Sequence, residues 1–156
     1  MTVEIGSNVA NLPLPASDGN EVKLSDYIGK NIVLYFYPKD MTPGCTTEAC
    51  DFRDFYKDFS DVNAVIVGVS TDSINRHEKF VEKYQLPFVL LADENHQLAE
   101  MFNVWKLKKN FGKEYMGIER STFIIDKNGN VVKEWRKVKV KGHVEEALQY
   151  IKENLS

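Results

Sequence analysis

Cys45 stands in the run Tyr35-Phe36-Tyr37-Pro38-Lys39-Asp40-Met41-Thr42-Pro43-Gly44-Cys45, which joins a continuous apolar stretch to what reads as the first turn of a helix. At a helix N-terminus, unpaired backbone N–H groups and the positive end of the helix dipole converge. Both favour thiolate over thiol, and the thiolate is the nucleophile. Pro43 suits the helix entrance because its missing N–H is not needed there. Gly44 lets the backbone come close to a small ligand. A nucleophile, free N–H donors and the Thr42 hydroxyl would then surround one small polar molecule. Taken alone, Cys45 is more often a buried structural thiol, and Thr42 alone passes as an ordinary helix cap.

The elements that must hold this site follow from the apolar pattern. Ile32 to Tyr37 is a β-branched and aromatic run, expected as a central strand buried on both faces and ended by Pro38. A helix is expected from near Thr42 to Cys45 through about Phe59, with Ala49, Phe52, Phe55, Tyr56 and Phe59 on one face. In front lies a hairpin over residues 12–24: Leu12 and Leu14, the turn Asp18-Gly19-Asn20, then Val22 and Leu24. Ser25 to Gly29 reads as a helical turn stopped by glycine. Ala64 to Val69 is a second buried strand, and Ser73 can cap a helix carrying Phe80, Val81 and Tyr84.

Phe88 to Leu91 is a short strand and Asn95 to Phe102 a short helix, while residues 103–117 show no clean period and read as loop. Ser121 to Ile125 and Val131 to Trp135 flank the turn Asp126-Lys127-Asn128-Gly129. Gly142 to Leu155 is a terminal amphipathic helix bearing Val144, Ala147, Leu148 and Ile151. Strands alternating with helices point to the α/β class: a central mixed β-sheet flanked by helices, with an N-terminal β-hairpin, compatible with a thioredoxin-like fold.

Composition narrows the function classes. The chain has 156 residues, 43% hydrophobic and 28% charged, which suits one globular domain over residues 1–156. Its longest apolar runs are too short to span a bilayer. A formal charge of −3 gives no general attraction to nucleic acid or anionic lipid. Residues 1–100 carry 8 basic and 16 acidic groups and residues 101–156 carry 12 and 7, a division that reads as solvated faces. Two cysteines make no disulfide framework. The N-terminus lacks a basic, apolar signal pattern, so the expected compartment is the cytoplasm.

The string Pro38-X-X-X-Thr42-X-X-Cys45, with Cys50 five residues on, resembles the peroxiredoxins, and within them the bacterioferritin comigratory protein or peroxiredoxin Q branch. Gly117-Ile118-Glu119-Arg120-Ser121-Thr122-Phe123-Ile124-Ile125-Asp126 and Val138-Lys139-Val140-Lys141-Gly142-His143 resemble the same branch, so the likeness covers nearly the whole chain. It implies a thiol peroxidase without metal or flavin. Cys45 would be the peroxidatic cysteine, attacking a peroxide oxygen and becoming a sulfenic acid. Thr42 would hydrogen-bond the peroxide. Arg120 would stabilise the thiolate and the shifting charge. Pro38 would shield the pocket, and Glu48 would orient the arginine. The resemblance also implies a thioredoxin or similar dithiol protein as reductant, and a monomer more readily than a dimer.

If Cys50 is the resolving cysteine, helix geometry sets a condition. Five residues on an α-helix separate Cα atoms by about 8.7 Å, beyond the ~7 Å that a disulfide spans. The first turns around residues 42–52 must melt for a Cys45–Cys50 bridge to form, and the β-branched Thr46 and Thr47 make that opening easier. The alternative for Cys50 is a buried helix-face thiol, since it follows Ala49 and precedes Phe52.

Two rival readings are a disulfide oxidoreductase, which ordinarily uses Cys-X-X-Cys, and a non-catalytic redox sensor. Arg53 stands on the same helix as a further pocket candidate. His77, His96 and His143 show no metal-ligand spacing and are expected at the surface. Trp105 with Lys106, Lys108, Lys109 and Lys113 reads as a docking patch or as a solvated loop with an anchored aromatic. No nucleotide-binding motif is present.

Overall fold

A computed structural model describes residues 5–6 and 11–155. Short strands β1 (Leu14–Pro15) and β2 (Glu21–Val22) pair antiparallel and lead through a 3-10 turn, Leu24–Tyr27, into β3 (Asn31–Phe36). Then follow α1 (Pro43–Asp54), α2 (Tyr56–Asp61), β4 (Ala64–Ser70), α3 (Ile74–Tyr84), β5 (Val89–Ala92) and α4 (Gln97–Met101). The chain closes with β6 (Trp105–Asn110), β7 (Lys113–Ile118), β8 (Ser121–Ile125), β9 (Val131–Arg136) and α5 (His143–Asn154).

The central sheet has the order β5-β4-β3-β8-β9. β3, β4 and β5 are parallel, whereas β8 and β9 join antiparallel, giving the mixed sheet expected. β3 is buried at every residue, and its alternate side chains enter two separate cores. Ile32, Leu34 and Phe36 pack with Val67, Val69, Leu98, Phe102 and Phe123 on one side. Val33, Tyr35 and Tyr37 pack with Cys45, Ala49, Phe52, Phe80 and α5 on the other. Two successive crossovers stepping toward the same sheet edge place α1 and α3 on one face, as the right-handed rule requires. The segment that carries Cys45 therefore starts at the C-terminal end of a central, fully buried strand.

Three expectations are corrected, and a fourth holds in shorter form. The helix through Phe59 is broken at Phe55, whose φ and ψ are −98° and 9°. No Pro or Gly marks the break, so tertiary packing overrides local propensity: Phe52 and Phe59 still meet, ring centroids 5.9 Å apart. The supposed loop 103–117 is mostly the β6–β7 hairpin, turned at Phe111 and Gly112, both at positive φ. Its period is hidden because most of its side chains are solvent-facing, Phe111 being 97% exposed. The N-terminal hairpin is real but its strands are two residues each. His77 and His143 are buried rather than superficial; only His96 is partly open, stacked on Trp105 at 4.2 Å.

Candidate active site

Cys45 is the third residue of α1, behind the N-cap Thr42, with Pro43 and Gly44 as the first two positions. Its thiol is almost completely buried. The residue that reaches it comes from 75 positions along the chain. Phe36 at the end of β3 pairs with Ser121 at the start of β8, so Arg120 emerges beside the strand end from which α1 departs. Arg120 Nη2 donates to Cys45 Sγ at 3.4 Å and Nη1 donates to Glu48 Oε1 at 2.6 Å. One guanidinium thus links the sulfur to a carboxylate one helical turn further along α1, a charge-assisted fork. The Arg120 carbonyl accepts from Val138 N at 2.9 Å, which ties its backbone to the segment before α5.

Gly44 has a use other than the one its sequence context suggests. A Cβ there would lie 3.1 Å from Arg120 Nη2, so the glycine seats the guanidinium rather than a ligand.

Electrostatics follow from burial. Glu48 is fully buried, which pushes its carboxyl up to about 7, while Arg120 pulls it back. Burial works against the Arg120 charge, but Glu48 and Cys45 outweigh it and hold the guanidinium above its ordinary value. Tyr35 lies in the same core as Cys45; burial first, then the charges of Glu48 and Cys45, raise its phenol well above the usual range. Its hydroxyl and Glu48 Oε2 have no hydrogen-bond partner among the described residues. Nothing in the sequence pattern singled out Tyr35 beyond its place in a buried strand.

Thr42 is at the α1 N-cap, but its hydroxyl donates to Lys39 O at 2.7 Å instead of capping the helix. Pro38 follows β3 and is half-buried. Cys50 is half-buried and unpaired, and burial raises its thiol despite Arg53 nearby. Arg53 itself is directed away: Nη1 donates to Tyr84 O at 2.9 Å and the guanidinium pairs with Asp54. His143, absent from the expected site, stands behind it, its Nε2 2.8 Å from Thr122 Oγ1. Burial, with Arg120 adding to it, lowers His143 to about 4. Among the described residues, no helix is long and apolar enough to cross a membrane.

The chain is similar to several known proteins. The AhpC/TSA family model matches residues 5–134. A curated relative, peroxiredoxin Bcp of Bacillus subtilis, is 68% identical over 153 residues, covering 98% of each chain. Peroxiredoxin Bcp of Escherichia coli is 39% identical over 152 residues, covering 97% of each. Among solved structures, peroxiredoxin Q of Xanthomonas campestris superposes with a TM-score of 0.92 at 42% identity, covering 99% of this chain and 98% of that one. A Xanthomonas campestris bacterioferritin comigratory protein structure of the same TM-score and identity, with trapped intermediate and ligand complexes, concerns alkyl peroxide reduction. The thioredoxin-like sheet, the buried cysteine under an arginine and these relatives together place the chain in the AhpC/TSA family, on its Bcp/peroxiredoxin Q branch.

Proposed function

We propose that this protein is a thiol-dependent peroxidase that reduces hydrogen peroxide and organic hydroperoxides at Cys45. The observation that carries the reading is the Arg120 fork, 3.4 Å from Cys45 Sγ and 2.6 Å from Glu48. The Cys45 thiolate attacks the terminal peroxide oxygen. An S–O bond forms, the O–O bond breaks, and the departing oxygen takes a proton and leaves as water or an alcohol. Arg120 faces the sulfur and stabilises negative charge as it moves along the breaking bond. Thr42, whose hydroxyl oxygen retains acceptor capacity, hydrogen-bonds the peroxide. Pro38 shields the pocket from water, and Glu48 keeps the guanidinium aimed.

Cys45 is left as a sulfenic acid. Cys50 then attacks that sulfur, an S–S bond forms within the chain, and water leaves. A dithiol protein such as thioredoxin reduces the bridge by exchange and becomes oxidised itself. The raised Cys50 thiol fits this order, because it reacts once α1 opens and its surroundings become aqueous. The same reading takes residues 1–156 as one catalytic domain of a cytoplasmic monomer.

Peroxidase turnover with a thioredoxin system tests it. Cys45→Ser abolishes activity; Cys50→Ser permits one round of oxidation and blocks recycling. Peptide mapping under non-reducing conditions after one equivalent of peroxide should show a Cys45–Cys50 bridge. A bridge between chains, or insulin reduction without peroxide turnover, would count against this scheme.

A further inference from the structure

A second buried polar cluster lies at the C-terminal ends of β3, β4 and β5, outside the Arg120 fork. At its centre is Asp40, on the loop that leads from β3 to Thr42, and all four of its hydrogen-bonding groups are engaged. One carboxylate oxygen accepts from the Tyr37 hydroxyl and the other lies 2.6 Å from His77 Nδ1. The Asp40 amide donates to Asp72 Oδ2 at 2.7 Å, and its carbonyl accepts from Arg76 Nη2 at 3.2 Å. Arg76 Nε also donates to Asp72 Oδ1, and Ser70 donates to Asp72 Oδ2. His77 Nε2 faces the Leu91 carbonyl at 2.9 Å. With an oxygen facing each ring nitrogen, the His77 ring is held between the Asp40 carboxyl and the Leu91 carbonyl.

Asp40, Asp72 and His77 approach one another closely enough to suggest a metal site, their donor atoms all within 4.8 Å. The bonding excludes that use. The carboxyl oxygens already accept hydrogen bonds, and a cation would have to displace Arg76 and break the contact between His77 and Asp40.

The cluster's position suggests its purpose. Met41, directly after Asp40, is held at φ 68°, a left-handed conformation that a methionine does not favour. Thr42 comes next, its hydroxyl turned to Lys39 O and its carbonyl accepting from Thr46 N at 2.8 Å. The turn that presents Thr42 and the open end of α1 is therefore fixed from behind by Asp40. We propose that the His77–Asp40 pair, backed by Asp72 and Arg76, is a positioning clamp that sets Thr42 and the Cys45 end of α1 for attack on the peroxide. These residues act through the Asp40–Thr42 backbone and do not touch the substrate. The clamp also lies outside residues 42–52, so it stays in place as their fixed end when α1 opens.

The inference rests on the peroxidase reading, and two reactions of Cys45 separate them. In a Cys50→Ser background, His77→Gln and Arg76→Gln are compared for oxidation of Cys45 by hydrogen peroxide and for its alkylation by iodoacetamide. Alkylation needs a nucleophilic sulfur but no peroxide-binding turn. Misplacing a reacting group by a fraction of an ångström slows a reaction by about tenfold or more. His77→Gln is expected to lower the peroxide rate by about that factor and Arg76→Gln severalfold, with alkylation within about twofold of wild type. Arg76 is 45% exposed, so its replacement leaves a folded protein even if His77→Gln does not. An unchanged peroxide rate in folded Arg76→Gln would overturn the clamp, as would equal losses in both reactions. If Cys45 of the parent protein fails to react with peroxide at all, the peroxidase reading falls and the clamp with it.

Discussion

Replacing Glu48 by glutamine tests whether burial or the Arg120 charge governs the site. Burial has lifted the carboxyl from an ordinary 4.5 to about 7, against the pull of the guanidinium 2.6 Å away. Between those values the folded protein holds a proton that the unfolded chain has released. Stability is then full below pH 4.5, falls as pH rises through the window, and is lowest above 7. At about 1.4 kcal/mol per pH unit, the whole loss is about 3 kcal/mol. Glu48→Gln keeps an acceptor for Arg120 Nη1 but has nothing to titrate. Urea unfolding of both proteins between pH 4.5 and 8, in a Cys45→Ser background to exclude oxidation, gives the difference. The variant should gain about 3 kcal/mol on its parent across this range. Parallel curves would refute the argument from burial. A variant that instead loses ground as pH rises would mean that attraction to Arg120 outweighs the desolvation of the carboxylate.

Three further perturbations have defined outcomes. Gly44→Ala puts a methyl 3.1 Å from Arg120 Nη2, so the guanidinium must shift; stopped-flow oxidation should slow by about tenfold, while the melting temperature stays near wild type. Gly68→Ala puts a methyl 2.7 Å from Leu90 Cδ2 and 2.9 Å from Tyr35 Cζ, inside a closed core; chemical denaturation should show a loss of about 1–3 kcal/mol. His143 acts with the opposite sign to Glu48. Its folded value of about 4 lies below the ordinary 6.5, so it costs stability as pH falls from 6.5 to 4, and His143→Gln should flatten that acid limb by about 3 kcal/mol in urea titrations.

Much of the scaffold is legible in local sequence because local and tertiary demands coincide there. Ile32 to Phe36 is apolar at every position, and a strand between two covered faces needs that pattern. Asp126-Lys127-Asn128-Gly129 turns β8 into β9, and Ser73 accepts from Arg76 N at the head of α3. The β6–β7 hairpin was illegible because Leu107, Lys109, Glu114 and Met116 largely face solvent, leaving no alternation to read. Burial of His77 and His143 was equally hidden: nothing near them in sequence announces that Asp40, 37 residues away, or Thr122, 21 away, will satisfy their rings. Within the site, the helix entrance around Cys45 is a local property. The Arg120 contact is not, since it depends on the pairing of Phe36 with Ser121; only the resemblance of its surrounding string brought it forward.

In the proposed scheme, the Arg120 contact at Cys45 also explains why α1 should loosen after attack. Before reaction, Arg120 bridges the sulfur and Glu48, fastening the first turn of α1 to the start of β8. Oxidation adds an oxygen to the sulfur that Arg120 Nη2 meets at 3.4 Å, so that contact cannot persist in the same form. Further along α1, Ala49 and Phe52 remain fully buried, and exposing Phe52 alone would cost about 1.5–3 kcal/mol. Opening is therefore easiest over the first turns, from Cys45 toward Cys50, and is resisted at Phe52 on one side and by the Asp40 cluster on the other. Those limits enclose the segment that must unwind for the two sulfurs to meet. In the proposed scheme, chemistry at Cys45 thus removes the fastening that keeps Cys50 out of reach.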